Sequence, residues 1–146
     1  MRESAIRARA EREAGRDPFV VEVSCRAMDR IEEISDSDML AVAGGGVTLG
    51  RLQRAAGEKG LFFPFEPESP QGDPTMEELV QDGTISRYEG RYGRLRESIL
   101  SIEGVTGAGE TFHTGSRSVK DVTGYELAGL LTGSGGRLAV ITSVTL

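Results

Sequence analysis

The sequence predicts an α+β domain with a mostly antiparallel sheet flanked by helices. Three observations carry this reading. Ser98 to Val105 and Glu110 to Thr114 read as two strands around Gly107-Ala108-Gly109, a turn that supplies the positive φ of a hairpin. Apolar residues recur at helical spacing at Leu49, Leu52, Ala55 and Ala56, and again at Val122, Tyr125, Leu127, Leu130 and Leu131. Leu138 to Leu146 alternates: Leu138, Val140, Thr142, Val144 and Leu146 face one way, and Ala139, Ile141, Ser143 and Thr145 the other.

Residues 1–16 read as a basic helical arm, with Ala5, Ile6, Ala8, Ala10 and Ala14 set among Arg and Glu. Phe19 to Val23 is expected to be a strand, because β-branched residues are bounded by Pro18 and Ser24. Met39 to Ala43 is a second short strand, followed at once by Gly44-Gly45-Gly46. Thr48 suits an N-cap for the helix that begins at Leu49, and Gly60 a stop. Phe65 to Asp82 holds six acids and no Lys or Arg, and Pro67, Pro70 and Pro74 make its first half an exposed loop. Thr75 with Glu78 spells a capping box for a short helix. Arg87 to Glu97 turns basic, which reads as local pairing with the acids before it. Gly133 stops the helix that ends near Leu131.

Composition excludes several chemistries. With 146 residues the chain suits one domain, large enough to bury a core without staples. A net charge of −6 makes it a poor nucleic-acid binder. No apolar run approaches the ~20 residues of a membrane helix. The Arg-rich N-terminus has no apolar h-region, so a cytoplasmic protein is expected. A single Cys, Cys25, excludes an intrachain disulfide and a cysteine cage for zinc. A single His, His113, excludes a multi-histidine metal site and reads as a structural strand residue. Glu77 and Glu78 point about 100° apart on a helix and form no acid/base dyad. No catalytic and no metal residue is assigned.

Two glycine clusters compete for the chemistry. Gly44-Gly45-Gly46-Val47-Thr48-Leu49-Gly50 lies between a strand and a helix, as a dinucleotide loop would. The acids about 20 residues on, Glu66 and Glu68, sit in a proline-rich loop and not at a strand end, so a tight structural turn is favoured. Gly133-Ser134-Gly135-Gly136 follows a helix C-terminus, whose dipole does not suit phosphate. A loop without bulky side chains can still let a flat ring or a ribose lie close to the backbone.

Several stretches from Phe19 onward carry a family resemblance. They are Met28-Asp29-Arg30-Ile31, Gly46-Val47-Thr48-Leu49-Gly50, Gly60-Leu61-Phe62-Phe63-Pro64, Arg91-Tyr92-Gly93, Lys120 to Leu127 (KDVTGYEL) and Gly133 to Thr142 (GSGGRLAVIT). Together they resemble the flavin-binding domain of the FAD-linked oxidases, the vanillyl-alcohol oxidase or p-cresol methylhydroxylase type. The FAD subunits of glycolate oxidases and D-lactate dehydrogenases are the nearest likeness. The last two stretches, at this spacing, are the specific ones.

The resemblance implies a partial FAD-binding-type domain over residues 17–146, with FAD as cofactor. Pro64, Glu66 and Pro67 would lie along the flavin. Thr75 matches the threonine that opens the family's T-I-G-G. Gly124, Ser134, Gly135 and Gly136 would admit the cofactor close to backbone, and Val140 and Ile141 would hold it through main-chain atoms. Tyr88, Tyr92 and Tyr125 could stack on a flavin, although ordinary packing is the commoner use of such rings. The chain departs from the pattern at several points, and the family's A-T-N-A-x-G is not recognisable in Val80 to Ser86. The stretch before the first matched strand has only Gly15 where the family has a glycine-rich phosphate loop; T-I-G-G reads Thr75-Met76-Glu77-Glu78; and the glutamate of G-S-E-G is Gly135. Two readings stay open. One is a FAD domain or subunit of an oxidoreductase acting on a 2-hydroxy acid such as glycolate or lactate, its cofactor held weakly or shared with an oxidoreductase partner subunit or a second copy. The other is a cofactor-free interaction or assembly module derived from that fold.

Overall fold

The computed structural model describes residues 7–11, 20–67, 72–115 and 122–146, with 7–11, 20–22 and 122–126 described as backbone. Strand β1 (Arg7–Glu11) pairs antiparallel with β2 (Val20–Ser24) in a two-stranded sheet. The helical reading of the arm is corrected here over Arg7–Glu11. R-A-R-A alternates with the period of a strand, and β2 offers a partner that outweighs the helix propensity of alanine. The rest of that arm, and Phe19, lie outside the described residues.

Next come β3 (Ile31–Ser35), β4 (Leu40–Gly44), α1 (Leu49–Gly57), α2 (Met76–Asp82), α3 (Glu89–Tyr92), α4 (Leu95–Ser98), β5 (Ser101–Thr106), β6 (Thr111–Gly115), α5 (Val122–Leu131) and β7 (Ala139–Thr145). The five later strands form one sheet in the order β3-β4-β7-β5-β6, with every neighbour antiparallel. The expected α+β class and antiparallel sheet therefore hold. Strand β3 was not legible: Ile31 and Ile34 stand three apart, as on a helix, and the register shifts between Ile31 and Glu33.

Helices pack on one face of the sheet. Leu49 and Leu52 from α1, Met76, Leu79 and Val80 from α2, Leu95 from α4, and Ala128 and Leu131 from α5 bury against Ala43, Ile102, Ile141 and Val144. Strand β7 corrects the alternation read from sequence. Ala139 and Ile141 enter the core before a break, and Val144 and Leu146 after it. Glu103 pairs with Ser143 and Gly104 with Ile141, so Thr142 is an extra residue in β7. This bulge shifts the phase by one and turns both halves of the strand inward.

Candidate functional site

The first glycine cluster is a packing device. A Cβ on Gly44 would strike the carbonyl of Met28, one on Gly45 the carbonyl of Ile141, and one on Gly46 the carbonyl of Cys25. The amides of all three donate within the protein, Gly44 to Arg30 O at 2.9 Å, Gly45 to Thr142 O at 2.8 Å and Gly46 to Met28 O at 3.1 Å. The first turn of α1 is equally committed. Leu49 N–H donates to Pro74 O at 2.9 Å, Gly50 N–H to Asp73 Oδ1 at 2.7 Å and Arg51 N–H to Thr48 Oγ1 at 3.3 Å. A phosphate needs such amides free. The stretch Gly44–Gly50 is a structural turn, as the sequence favoured.

Helix α2 is the hub of the second cluster. Thr75 caps it: its Oγ1 accepts from Glu78 N–H at 3.2 Å, and Glu78 Oε2 accepts from Thr75 N–H at 2.8 Å. The next amides are spent on the glycine turn, Met76 N–H on Val47 O at 2.8 Å and Glu77 N–H on Gly45 O at 2.9 Å. Glu77 turns inward beside Cys25, and Glu78 pairs outward with Arg26 at 3.4 Å. Burial, more than the neighbouring Glu78 charge, raises the Glu77 carboxyl above its usual range, although bonds from Cys25 and Gln81 oppose the shift. Burial and the Glu77 charge push the Cys25 thiol up to about 12.

The far end of α2 holds the loop 133–136. Gly133 N–H donates to Val80 O at 2.9 Å and Gly135 N–H to Gln81 O at 2.8 Å. Gln81 Nε2 reaches Glu77 Oε1 and Ala139 O, each at 3.2 Å, and so ties helix, loop and strand together. Gly135 and Gly136 are exposed with φ of 61° and 71°, in a region where a side chain is strained.

The expected cofactor residues therefore fall into two groups. Thr75, Ser134, Gly135, Gly136 and Ile141 surround α2, and Gly124 lies in α5, which leads into the glycine loop. The Ile141 side chain is in the core, and Val140 points from the opposite face of β7 beside Val105. Pro64, Glu66 and Pro67 belong to a separate strip, and Glu66 and Pro67 line a cleft of about 450 Å³ with Leu49, Phe62, Asp73 and Tyr88. Gln53 shapes that strip by binding the carbonyls of Phe63 and Phe65 and the amide of Phe63. Ser86 pins its far end: it bridges Pro67, and its Oγ accepts from Glu66 N–H at 3.1 Å. Asp73 and Gln81 went unnoticed in the sequence, since only the tertiary fold shows what they bond. Lys120 and Asp121 lie outside the described residues. Among the described residues no His, Cys, Asp and Glu gather into a metal-binding group, and no helix is long and apolar enough to cross a membrane.

An antiparallel sheet, a glycine loop pinned to a capped helix and a separate cleft lined by aromatic rings make up one α+β unit. The FAD binding domain family matches residues 9–115, and the chain belongs to that family. It is 36% identical over 119 residues to a D-lactate dehydrogenase of Archaeoglobus fulgidus, covering 78% of this chain and 25% of that protein. It is 33% identical over 120 residues to glycolate oxidase subunit GlcD of Bacillus subtilis, covering 79% of this chain and 24% of that protein. Glycolate oxidase subunit GlcE of Escherichia coli is 28% identical over 110 residues, covering 75% of this chain and 31% of that subunit. The chain thus spans about a quarter of the length of the first two relatives. The solved structure of an alkyldihydroxyacetonephosphate synthase shares the fold, with a TM-score of 0.68 at 20% identity over 82% of this chain and 21% of that one. The resemblance to the FAD-linked oxidases holds.

Proposed function

We propose that this chain is a partial FAD-binding domain of a flavin-dependent oxidoreductase acting on a 2-hydroxy acid such as lactate or glycolate, with β1 paired into the domain and not set apart as an arm. The observation that carries this is the loop 133–136, bare of bulky side chains, pinned to α2 and running into β7. Such a backbone wall suits a flat ligand. Ser134, Gly135, Gly136, Val140, Ile141 and Gly124 would hold the cofactor largely through main-chain atoms, with Pro64, Glu66, Pro67 and Thr75 on its other side.

The fit is divided. The glycine loop suits the flat part of the cofactor. The first turn of α2, with its amides spent and Glu77 and Glu78 upon it, does not suit a pyrophosphate. The phosphates would therefore be met elsewhere, by an oxidoreductase partner subunit or a second copy, and FAD would be weak on this chain alone. Flavin, when bound, supplies the hydride acceptor; this chain supplies binding and orientation. A cytoplasmic setting goes with this reading.

The carboxylates on α2 favour a second reading, a cofactor-free assembly module of the same fold. Fluorescence titration with FAD separates the two. Quenching that strengthens when a partner subunit is added supports the first. Absence of binding, alone and with partners, overturns it and leaves the second.

A further inference from the structure

Gln81 Oε1 is an acceptor that the described residues leave open. The Gln81 Nε2 commits both its hydrogens, to Glu77 Oε1 and to Ala139 O, each at 3.2 Å. Both of those atoms accept, so the amide can stand only this way round. Its oxygen then lies against Gly136, where a Cβ would come within 2.6 Å of it. Among the described residues no group donates to Oε1, and no side-chain oxygen or nitrogen is both buried and unbonded. The oxygen therefore reaches solvent beside the exposed glycines of the loop.

The loop around it is poor in donors. The N–H groups of Gly133 and Gly135 cap the last carbonyls of α2, Val80 O and Gln81 O, at 2.9 and 2.8 Å. Ser134 N–H and Arg137 N–H turn back on Leu131 O and Ser134 O, at 3.2 and 3.3 Å. Two helices end at this loop, α2 at Asp82 and α5 at Leu131, and each brings the negative pole of its dipole. The exposed Arg137 is the one cation of the segment, and it serves below as the control for phosphate.

We infer that Gln81 Oε1 is the acceptor that reads the N–H edge of a flat heteroaromatic ring lying on Gly133–Gly136. FAD carries two such edges, the imide N–H of the flavin and the amino group of the adenine, and their shared chemistry is that of a neutral ring donor. A phosphate meets neither a set of free amides nor a positive helix pole here. The inference rests on the cofactor reading and takes it further: it names the part of the ligand that the loop recognises and the atom that does so. Gln81 is a residue of recognition in this role, beyond tying helix to strand.

The test uses ligands that differ only at that hydrogen. The full isotope-labelled chain is titrated with riboflavin and its imide-methylated form, with adenosine and its amino-dimethylated form, and with FAD, and NMR follows the amides of 133–136. Methylation is expected to weaken one of the two pairs about fivefold or more, which names the edge that is read. In Gln81→Met that preference disappears, whereas a merely structural loss would weaken both members of the pair alike. Should Gln81→Met not fold, the Gln81 side-chain amide of the parent decides, since it shifts with the N–H ligand and not with its methylated twin. Equal binding within both pairs overturns the inference and leaves the cofactor reading in place. FAD binding far more tightly than riboflavin, with the excess lost in Arg137→Gln, overturns it too, because the loop then reads phosphate. If none of the five ligands shifts these amides, the inference fails, and the cofactor reading is decided separately by FAD titration with a partner subunit.

Discussion

Asp73 Oδ1 accepts the backbone N–H of Gly50 at 2.7 Å, so a loop carboxylate fills the first turn of α1. It stands where an anion would otherwise be drawn to the helix dipole. The approach is close enough that a Cβ on Gly50 would come within 2.9 Å of Asp73 Oδ2. Asp73→Ala removes a charge-assisted cap and is expected to cost about 0.5–2 kcal/mol. Chemical denaturation of variant and parent checks this. No change in midpoint would mean that Thr48 and Pro74 hold the turn by themselves.

Cys25 is expected to be a slow thiol. It is buried, and a rise from 9.0 to about 12 lowers its thiolate fraction about a thousandfold at mildly alkaline pH. Iodoacetamide should therefore alkylate the native chain at least about a hundredfold more slowly than the urea-unfolded chain. Comparable rates would show that the thiol opens to solvent freely.

Much of the fold was legible because local signals agreed with tertiary demand. Thr48 and Thr75 cap the helices that their spacing announced, and the Thr75–Glu78 box forms as spelled. What sequence could not show depends on distant partners. Arg7–Glu11 became a strand because β2 lies beside it, and Thr142 bulged where β7 takes up the Gly45 amide. The candidate site was legible as glycines and prolines, whose roles are local. Asp73, Gln81 and the inward Glu77 carry no local mark, since each bonds to a group brought in by the fold.

Ser101 Oγ donates to Thr145 Oγ1 at 2.8 Å across β5 and β7, with both residues buried. Thr145→Val leaves the Ser101 hydroxyl without its partner and is expected to cost about 1–3 kcal/mol. Adding Ser101→Ala should restore part of the loss, because neither polar group then remains to be satisfied. Denaturation of both single variants and the pair measures the coupling. Strictly additive losses would mean that the pair contributes only shape.

Glu77 gives the chain a pH dependence of a definite sign. Its carboxyl is raised from 4.5 in the folded state, first by burial and then by the Glu78 charge, against the bonds from Cys25 and Gln81. Above 4.5 the unfolded chain begins to lose this proton while the native chain still holds it. The native state binds more protons in that window, so stability falls as pH rises. The contribution is whole below 4.5 and gone once pH passes the raised folded value. Glu77→Gln keeps an oxygen for the Gln81 Nε2 donor but cannot ionise. The two proteins should therefore melt alike in acid, and the variant should gain on the parent toward neutrality. Melting temperatures across that range read the difference directly. A parent that instead gains on the variant as pH rises would show that the α2 dipole, which favours a charge at this position, outweighs burial.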